Sequence, residues 1–484
     1  MDNTKSRSKL TRRVLLGTGV LAGAAVAAGL GVLLSRKGGA ITQGVSRARR
    51  VAAAGALPAE TEVVVVGGGN IGCLTALSLA ERGVRVVLCE KGVIAGEASG
   101  RSLGYIDSLF VDPAKAQIVA RSKQLWEELN ARVGADTGYR RTGTAALFGD
   151  VQGVDYAREW LKSAQGTYGS DGRILDAREA QALAVGSRDT FAGALYVPSD
   201  GIAEPQLAAP AVAEQARRRG GVVLQNCAVR GLETRAGRVS GVVTELGAIR
   251  CQSVVIAGGI WSPVFLRSLG LDLPQFMAFG SAMRFAAASG PSVGLVCTER
   301  GIVMRRGLQG SYHVCRPVAP VPITPATLSN ALRLLPALRR MGDQLEVVLN
   351  VRTFMSQWSI PRRWPLDRPS PFEENRILVP QTHNDMVDEV ARQVDAGFPA
   401  IARAGEVERW AGAMMSTLDN MPVISAVESH PGLFVGSGFY FGLTMAPAAG
   451  EALADLVTGH PPQIDLKLYR FSRFSDGSAL EFRD

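Results

Sequence analysis

Thr61-Glu-Val-Val-Val-Val66 followed by Gly67-Gly68-Gly69-Asn70-Ile71-Gly72 is the stretch whose reading decides the fold. The β-branched run to Val66 is short and apolar throughout, the pattern of a strand buried on both faces. The turn after it fits G-x-G-x-x-G on Gly67, Gly69 and Gly72. A helical segment follows, with Leu74, Leu77, Leu79 and Ala80 as buried candidates, and Gly83 stops it. A second strand, Arg85–Cys89, ends on Glu90, eighteen residues beyond Gly72. Each part has a task in holding a dinucleotide. Gly67 permits the tight turn, Gly69 lets the backbone approach a pyrophosphate, and Gly72 lets the helix pack close to the strand. The helix N-terminus, Asn70 and Ile71 included, offers unpaired N–H groups and a positive dipole end to phosphates. An acid at Glu90 accepts hydrogen bonds from ribose hydroxyls. A lone glycine-rich turn is weak, but here strand, glycines, helix, strand and acid fall in order.

The kind of dinucleotide follows from the next residues. Lys91-Gly-Val-Ile-Ala-Gly-Glu-Ala98-Ser99-Gly-Arg101-Ser102-Leu103-Gly104 is a small-residue loop, and such a loop can pass close to a bulky flat ring system. On these residues the chain resembles the FAD-dependent D-amino-acid oxidase superfamily, especially its glycine oxidase and sarcosine oxidase branch. The resemblance runs from about residue 61 to about residue 475. It implies an α/β fold in which a discontinuous Rossmann-like FAD-binding domain (61–110, 201–265 and 405–484) carries an inserted mixed α+β substrate domain (111–200 and 266–404).

Two further segments carry the resemblance. Ser253-Val-Val-Ile-Ala-Gly258-Gly-Ile-Trp-Ser262 is an apolar strand ending on paired glycines, similar to a second FAD-side motif of the family. Val229, after the strand Val222–Gln225, matches a position that contributes backbone contacts to the adenine part of FAD. Near the C-terminus, Leu433-Phe-Val-Gly-Ser-Gly438-Phe-Tyr440-Phe-Gly442-Leu443-Thr444 leads into a helix through Pro447, which fits a first-turn position. In the family this strand, loop and helix set backbone N–H groups against the N1/C2=O side of the flavin, where negative charge develops on reduction. The resemblance also implies substrate-pocket candidates, Tyr312, Arg101, Met414 and Tyr440. Tyr312 aligns with a glycine oxidase tyrosine that helps hold the substrate carboxylate, and an ordinary strand tyrosine is the competing reading. His313 adjoins it on the same strand, so only one of the two can face the flavin.

Two departures matter. Glycine oxidase grips its substrate carboxylate with an arginine two residues after W-x-G, and this chain has Met414 there. Relatives tether their flavin through a late cysteine or an N-terminal histidine; this chain has no cysteine after Cys315 and no histidine before His313. The expected cofactor is therefore non-covalent FAD. The expected reaction is oxidation of a C–N bond in an amino acid, N-alkyl amino acid or secondary amine, by hydride transfer to the flavin and hydrolysis of the imine. Alignment and a dry site serve such a reaction better than a dedicated acid or base. Two alternatives stand beside it: an FAD-dependent hydroxy-acid dehydrogenase, and the FAD-binding subunit of a membrane-attached dehydrogenase complex that passes electrons to a quinone or a partner subunit. A buried carboxylate needs a cation that Met414 cannot supply, so either the group is held elsewhere, with Arg101 the leading candidate and a phosphate or loop-bracing contact its competing reading, or the substrate has no carboxylate near the reacting carbon. Glycine and small D-amino acids are expected to be poor substrates and a larger or N-substituted amine a better one.

The net charge of +9 is entirely N-terminal. Residues 1–50 hold ten Lys/Arg against Asp2, and the remainder carries 43 basic and 43 acidic residues. The basic balance is therefore no nucleic-acid signal. Arg12-Arg13 before the uncharged run from Val14 to Leu34 resembles a twin-arginine export signal, and the run is also long enough for a membrane anchor. Residues 1–34 read as this signal or anchor and 35–60 as a linker, which places the protein in the periplasm or on a membrane. The six cysteines show no metal spacing, and Cys297 and Cys315 are open to pairing in an exported protein. No metal site is assigned.

Overall fold

A computed structural model describes residues 41–43, 46–52, 55–341 and 345–483. Arg12, Arg13 and the uncharged run lie outside the described residues. Val63–Val66 is the centre of a six-stranded sheet, in the order Val222–Gln225, Val86–Glu90, Val63–Val66, Ser253–Ile256, Leu433–Ser437, Val423–Ala426. All neighbours are parallel except the last pair. Alternate residues of these strands feed two cores. Val63, Val65, Val86 and Leu88 join one, and Val64, Val87, Cys89 and Val254 the other, as expected where a parallel sheet is covered on both faces. The helices Asn70–Glu81, Pro205–Arg218 and Gly442–Thr458 cover one face; the three-stranded sheet Val229–Arg235, Arg238–Thr244, Gly247–Arg250 lies against the other.

The second layer is an eight-stranded sheet, in the order Glu406–Thr417, Gln275–Phe285, Tyr312–Cys315, Ile302–Arg306, Leu295–Thr298, Thr144–Phe148, Gly193–Val197, Arg173–Asp176. Only the Leu295–Thr298 and Thr144–Phe148 pair is parallel. The whole is a mixed α/β fold, a Rossmann-like sheet joined to a largely antiparallel one. One boundary moves. Residues 405–417 were expected in the FAD-binding segment, yet Glu406–Thr417 is the edge strand of the second sheet, in continuous register with Gln275–Phe285.

Two local expectations are also corrected. Pro447 lies inside the helix Gly442–Thr458 rather than in its first turn. Proline has no N–H to give the carbonyl four residues back, and Leu443 O instead accepts a hydrogen bond from the Trp126 indole at 3.2 Å. The segment 35–60, expected to be a linker, is held down where it is described. Ile41–Gln43 pairs antiparallel with Leu378–Pro380. Arg47 bridges Glu408 at 2.6 Å and lies 4.3 Å from the centre of the Trp410 ring. The amide of Arg49 donates to Gln206 O at 2.9 Å.

Candidate functional site

The glycine turn works at close quarters. Gly67 has φ +111°, and a Cβ there would lie 2.4 Å from Ala257 O. A Cβ on Gly72 would sit 1.9 Å from Gly67 O, so the helix contacts the turn with no room for a side chain. A Cβ on Gly69 would lie 2.9 Å from Ser99 Oγ, which accepts from the Asn70 amide at 3.0 Å. Glu90 accepts from the amides of Gly68 (2.6 Å) and Gly92 (2.8 Å), which fixes its carboxylate across the turn. Burial raises the pKa of Glu90, opposed by Lys91 and by these two amides.

These residues open into a cavity of about 460 Å³ between the two sheets. Gly67, Gly69, Asn70, Ile71, Glu90, Lys91, Ala98, Ser99, Arg101, Ser102, Leu103, Gly104, Val229, Gly258, Gly442, Leu443 and Thr444 all line it, drawn from four separate stretches of the chain. Gly72 and Gly438 do not. Gly72 packs against Gly67 behind the wall, and Gly438 (φ +82°) turns the chain against Thr417 between the lining residues Ser437 and Phe439. Lys91 is held to the loop: its ammonium donates to Glu97 and to the carbonyls of Asn375 and Arg376 at 2.6–2.7 Å. Two helix N-termini, at Asn70 and Gly442, reach the same cavity, and neither helix has an acidic residue in its first turn. An elongated ligand with a diphosphate near one of them and a ring that becomes anionic near the other fits this arrangement. The side-chain-free approach at Gly67 and Gly69 and the carboxylate at Glu90 suit FAD for the same reason.

The cavity floor is one straight row of side chains across six strands. Trp410 is opposite Ala282, Ala282 opposite Cys315, Cys315 opposite Val303, Val303 opposite Cys297, and Cys297 opposite Ala146. All six line the cavity. At one strand spacing per step the row runs about 24 Å. Val303 stands between the two cysteines, which are therefore about 9.6 Å apart, too far for a disulfide. Both are free thiols, and burial pushes the Cys315 thiol up to about 12.

Three of the four pocket candidates line this cavity. Met414 brings no charge, and its methyl group would be 3.2 Å from a Cβ on Gly280. Tyr440 packs edge-on to Phe441, and burial moves its phenol up to about 12. Arg101 stands where the main cavity meets a polar vestibule lined by Arg47, His383, Glu408 and Arg409. Its Nη1 donates to Ala411 O at 3.4 Å, and burial, then the charge of Arg47, lowers its pKa to about 10. Tyr312 is the correction. Strand alternation turns it to the opposite face, where it is buried among Met283, Phe285 and Val387 and donates to Pro291 O at 3.1 Å. His313 points the other way, but its Nδ1 accepts from the Arg305 guanidinium at 2.8 Å and its ring packs edge-on to Trp410, outside the cavity lining.

Two charged lining residues escaped the sequence reading. Arg316 follows Cys315 at the end of its strand, and among the described residues it makes no ion pair and its buried Nε finds no hydrogen-bond partner. Asking which cation could replace the one absent at Met414 would have pointed to it as readily as to Arg101. Asp107 follows the flavin loop, where nothing in its neighbours marks it as an interior acid. Burial and then the nearby Asp200 push its carboxyl up to about 8.

Comparison with known proteins agrees with this geometry. Residues 62–456 match the DAO family, FAD dependent oxidoreductases. The chain is similar to an L-amino acid deaminase from Proteus myxofaciens solved in complex with anthranilate, at 35% identity over 92% of this chain and 100% of that one, with a TM-score of 0.88. It is 26% identical to the glycine oxidase of Pseudomonas putida over 84% of this chain and 96% of that protein. It is also 26% identical to the mitochondrial sarcosine dehydrogenase of Mus musculus over 86% of this chain, but spans only 42% of that longer protein. A glycine turn, a helix terminus, an acid and a flavin-side loop placed around one cavity, with a family match over most of the chain, lead to one conclusion: the protein belongs to the DAO family of FAD-dependent oxidoreductases.

Proposed function

We propose that this protein oxidises the C–N bond of an L-amino acid, releasing a 2-oxo acid and ammonia after hydrolysis of the imine. The observation that carries the reading is Arg316, a cation at the cavity wall with no ion pair within 4 Å among the described residues, its charge felt by Glu389 only at longer range. A substrate carboxylate entering a closed site needs such a partner, because burying it unpaired is strongly unfavourable. The likeness to L-amino acid deaminase over nearly the whole chain favours the L-configuration. When bound, FAD supplies the two-electron acceptor. The chain's own part is to place the substrate: Arg316 holds the carboxylate, the small residues Ala282, Cys315 and Val303 leave room for a side chain, and Tyr440 and Met414 close the site to water. Orientation and exclusion of water suffice for such a transfer without a dedicated base.

Anaerobic mixing tests this directly. L-amino acids with long side chains are expected to bleach the bound flavin, while glycine and D-alanine do so at least about tenfold more slowly. Efficient bleaching by glycine or D-alanine overturns the reading and favours an ordinary amino-acid oxidase; bleaching by hydroxy acids alone favours the dehydrogenase alternative.

A membrane electron acceptor is the second element of the proposal. Leu328, Leu332, Leu335, Val351, Met355 and Trp358, on three successive helices between 325 and 358, are all exposed, Leu332 at 83% and Trp358 at 65%. A cluster of large apolar side chains facing water suits a surface that rests on lipid. The N-terminal segment supports the same location, with Arg12-Arg13 acting as an export signal. Changing both arginines to lysine is expected to retain FAD-loaded protein in the cytoplasm, read by fractionation. Unchanged export would make the pair ordinary positive-inside charges.

A further inference from the structure

The far end of the cavity holds a carboxyl group for which the reaction has no use. Asp107 lines the cavity beside Tyr105, Leu109 and Phe110, near the end of the floor formed by Cys297 and Ala146. No described side chain donates a hydrogen bond to it. The neighbouring acid, Asp200, takes the local side-chain donors and the Ser108 amide: Ser108 N and Oγ at 3.0 and 2.8 Å, Thr144 Oγ1 at 2.5 Å and Lys123 Nζ at 2.6 Å, while Asp107 is left with its own backbone N–H. Lys123 is the one cation of this cluster, and its remaining bonds go to Ser199 at 2.6 Å and Ser108 at 3.2 Å. Two carboxyl groups thus share one cation, and the one facing the cavity is the one left over. Burial first, and then the charge of Asp200, push its carboxyl up to about 8, against the pull of Lys123 and of its own amide.

The surroundings suit a positive charge brought by a ligand. Tyr105, Phe110 and Tyr440 supply aromatic faces to the same space, and aromatic rings with a carboxylate are a favourable setting for an ammonium or guanidinium. Phe110 has φ +56° and stacks on Tyr156 at 5.5 Å, so its ring is held in place against an unfavourable backbone conformation. Spacing points the same way. Cys315 precedes Arg316, and the Cys297 thiol is close enough to Asp107 to be raised by its charge. These two cysteines are two strands apart, about 10 Å. The strand that ends at Arg316 and the floor position beside Asp107 are thus separated by a length on the order of an extended basic amino acid.

We propose that Asp107 is a specificity-determining residue that receives the terminal cation of a basic amino-acid substrate. The inference rests on the reading of Arg316 as the carboxylate partner and deepens it by naming the side chain. A bound cation stabilises the ionised carboxylate, adding the direct ion pair that Lys123 makes with Asp200 and not with Asp107. A neutral side chain of equal length leaves the acid unpaired.

The test uses the FAD-loaded full chain. 6-Aminohexanoate, which has the carboxylate and terminal ammonium of lysine but no α-amino group, is titrated against hexanoate by the shift of the bound flavin's visible spectrum. 6-Aminohexanoate is expected to bind about 10- to 100-fold more tightly. In turnover, L-lysine or L-arginine is expected to exceed L-norleucine in kcat/KM by a similar factor, and Asp107→Asn to remove that preference while FAD content stays the same. Equal binding of 6-aminohexanoate and hexanoate by the unmodified protein overturns the proposal, whatever the variant does. So does a lysine-to-norleucine ratio that survives in Asp107→Asn. If no amino acid bleaches the flavin but 6-aminohexanoate still binds preferentially through Asp107, the cation site stands and the L-amino-acid reading falls.

Discussion

Gly72→Ala is expected to yield protein without bound FAD, colourless after purification. The added methyl carbon would lie 1.9 Å from Gly67 O, a backbone atom, with the Ala257 side chain at 3.4 Å on its other side. A flexible side chain could swing away from such a contact, but a carbonyl inside the cofactor turn cannot. Either the helix Asn70–Glu81 slides off the strand or the turn opens. Both displace the N–H groups at Asn70 and Ile71 that line the cavity. Overpacking of a close-packed region costs about 1–3 kcal/mol even where repacking is available, and here it is not. Gly166→Ala is the matched control: it lies in the helix Val151–Tyr168 with nothing within 4 Å of its added carbon. It should keep full flavin absorbance and gain about 0.5–1 kcal/mol in stability. A yellow, fully loaded Gly72→Ala protein would show that the turn is looser than its contacts indicate.

Arg316→Ala should raise KM for amino-acid substrates by about 100-fold, equivalent to about 3 kcal/mol. FAD content should not change. The size follows from leaving a carboxylate without its cation in a closed cavity, which is worse than losing one hydrogen bond. Arg316→Lys should recover part of the loss, since an ammonium restores charge but not the planar fork. Arg101→Ala provides the comparison. Its guanidinium donates to Ala411 O beside the vestibule, so its removal is expected to change KM less than Arg316→Ala does. If Arg101→Ala has the larger effect on KM, the carboxylate is held at the vestibule end and Arg316 has only a structural role. Met414→Arg adds a second route to the same test. A cation there should improve turnover of small amino acids, because Met414 lines the cavity on the edge strand Glu406–Thr417.

The cofactor half of this site is legible in the sequence because its requirements are local. A turn that tolerates no Cβ writes itself as glycines at fixed spacing, and a strand buried on both faces writes itself as Val63–Val66. The substrate half is not local. The floor residues Ala146, Ala282, Cys297, Val303, Cys315 and Trp410 come from six strands, and only the register brings them into line. Tyr312 shows the cost of reading such a sheet without its register: it and Cys315 lie on one four-residue strand but face opposite sides. Asp107 is hidden for a related reason. Its unusual environment is produced by burial in the cavity wall and by Asp200, far along the chain, and no nearby residue announces it.

The floor also makes substrate choice divisible. Each step along it belongs to a different strand, so the depth available to a ligand is set by side chains remote in sequence from the cofactor turn, each packed against its neighbours in the row. A bulkier residue at Ala146, beyond Cys297, would shorten the reach only for the longest ligands, whereas a bulkier one at Val303, between the two cysteines, would exclude nearly all of them. Selection acting on a single strand can therefore alter the length of molecule accepted while the chemistry at the other end stays untouched. A scaffold arranged in this way offers a separate position for each increment of ligand length.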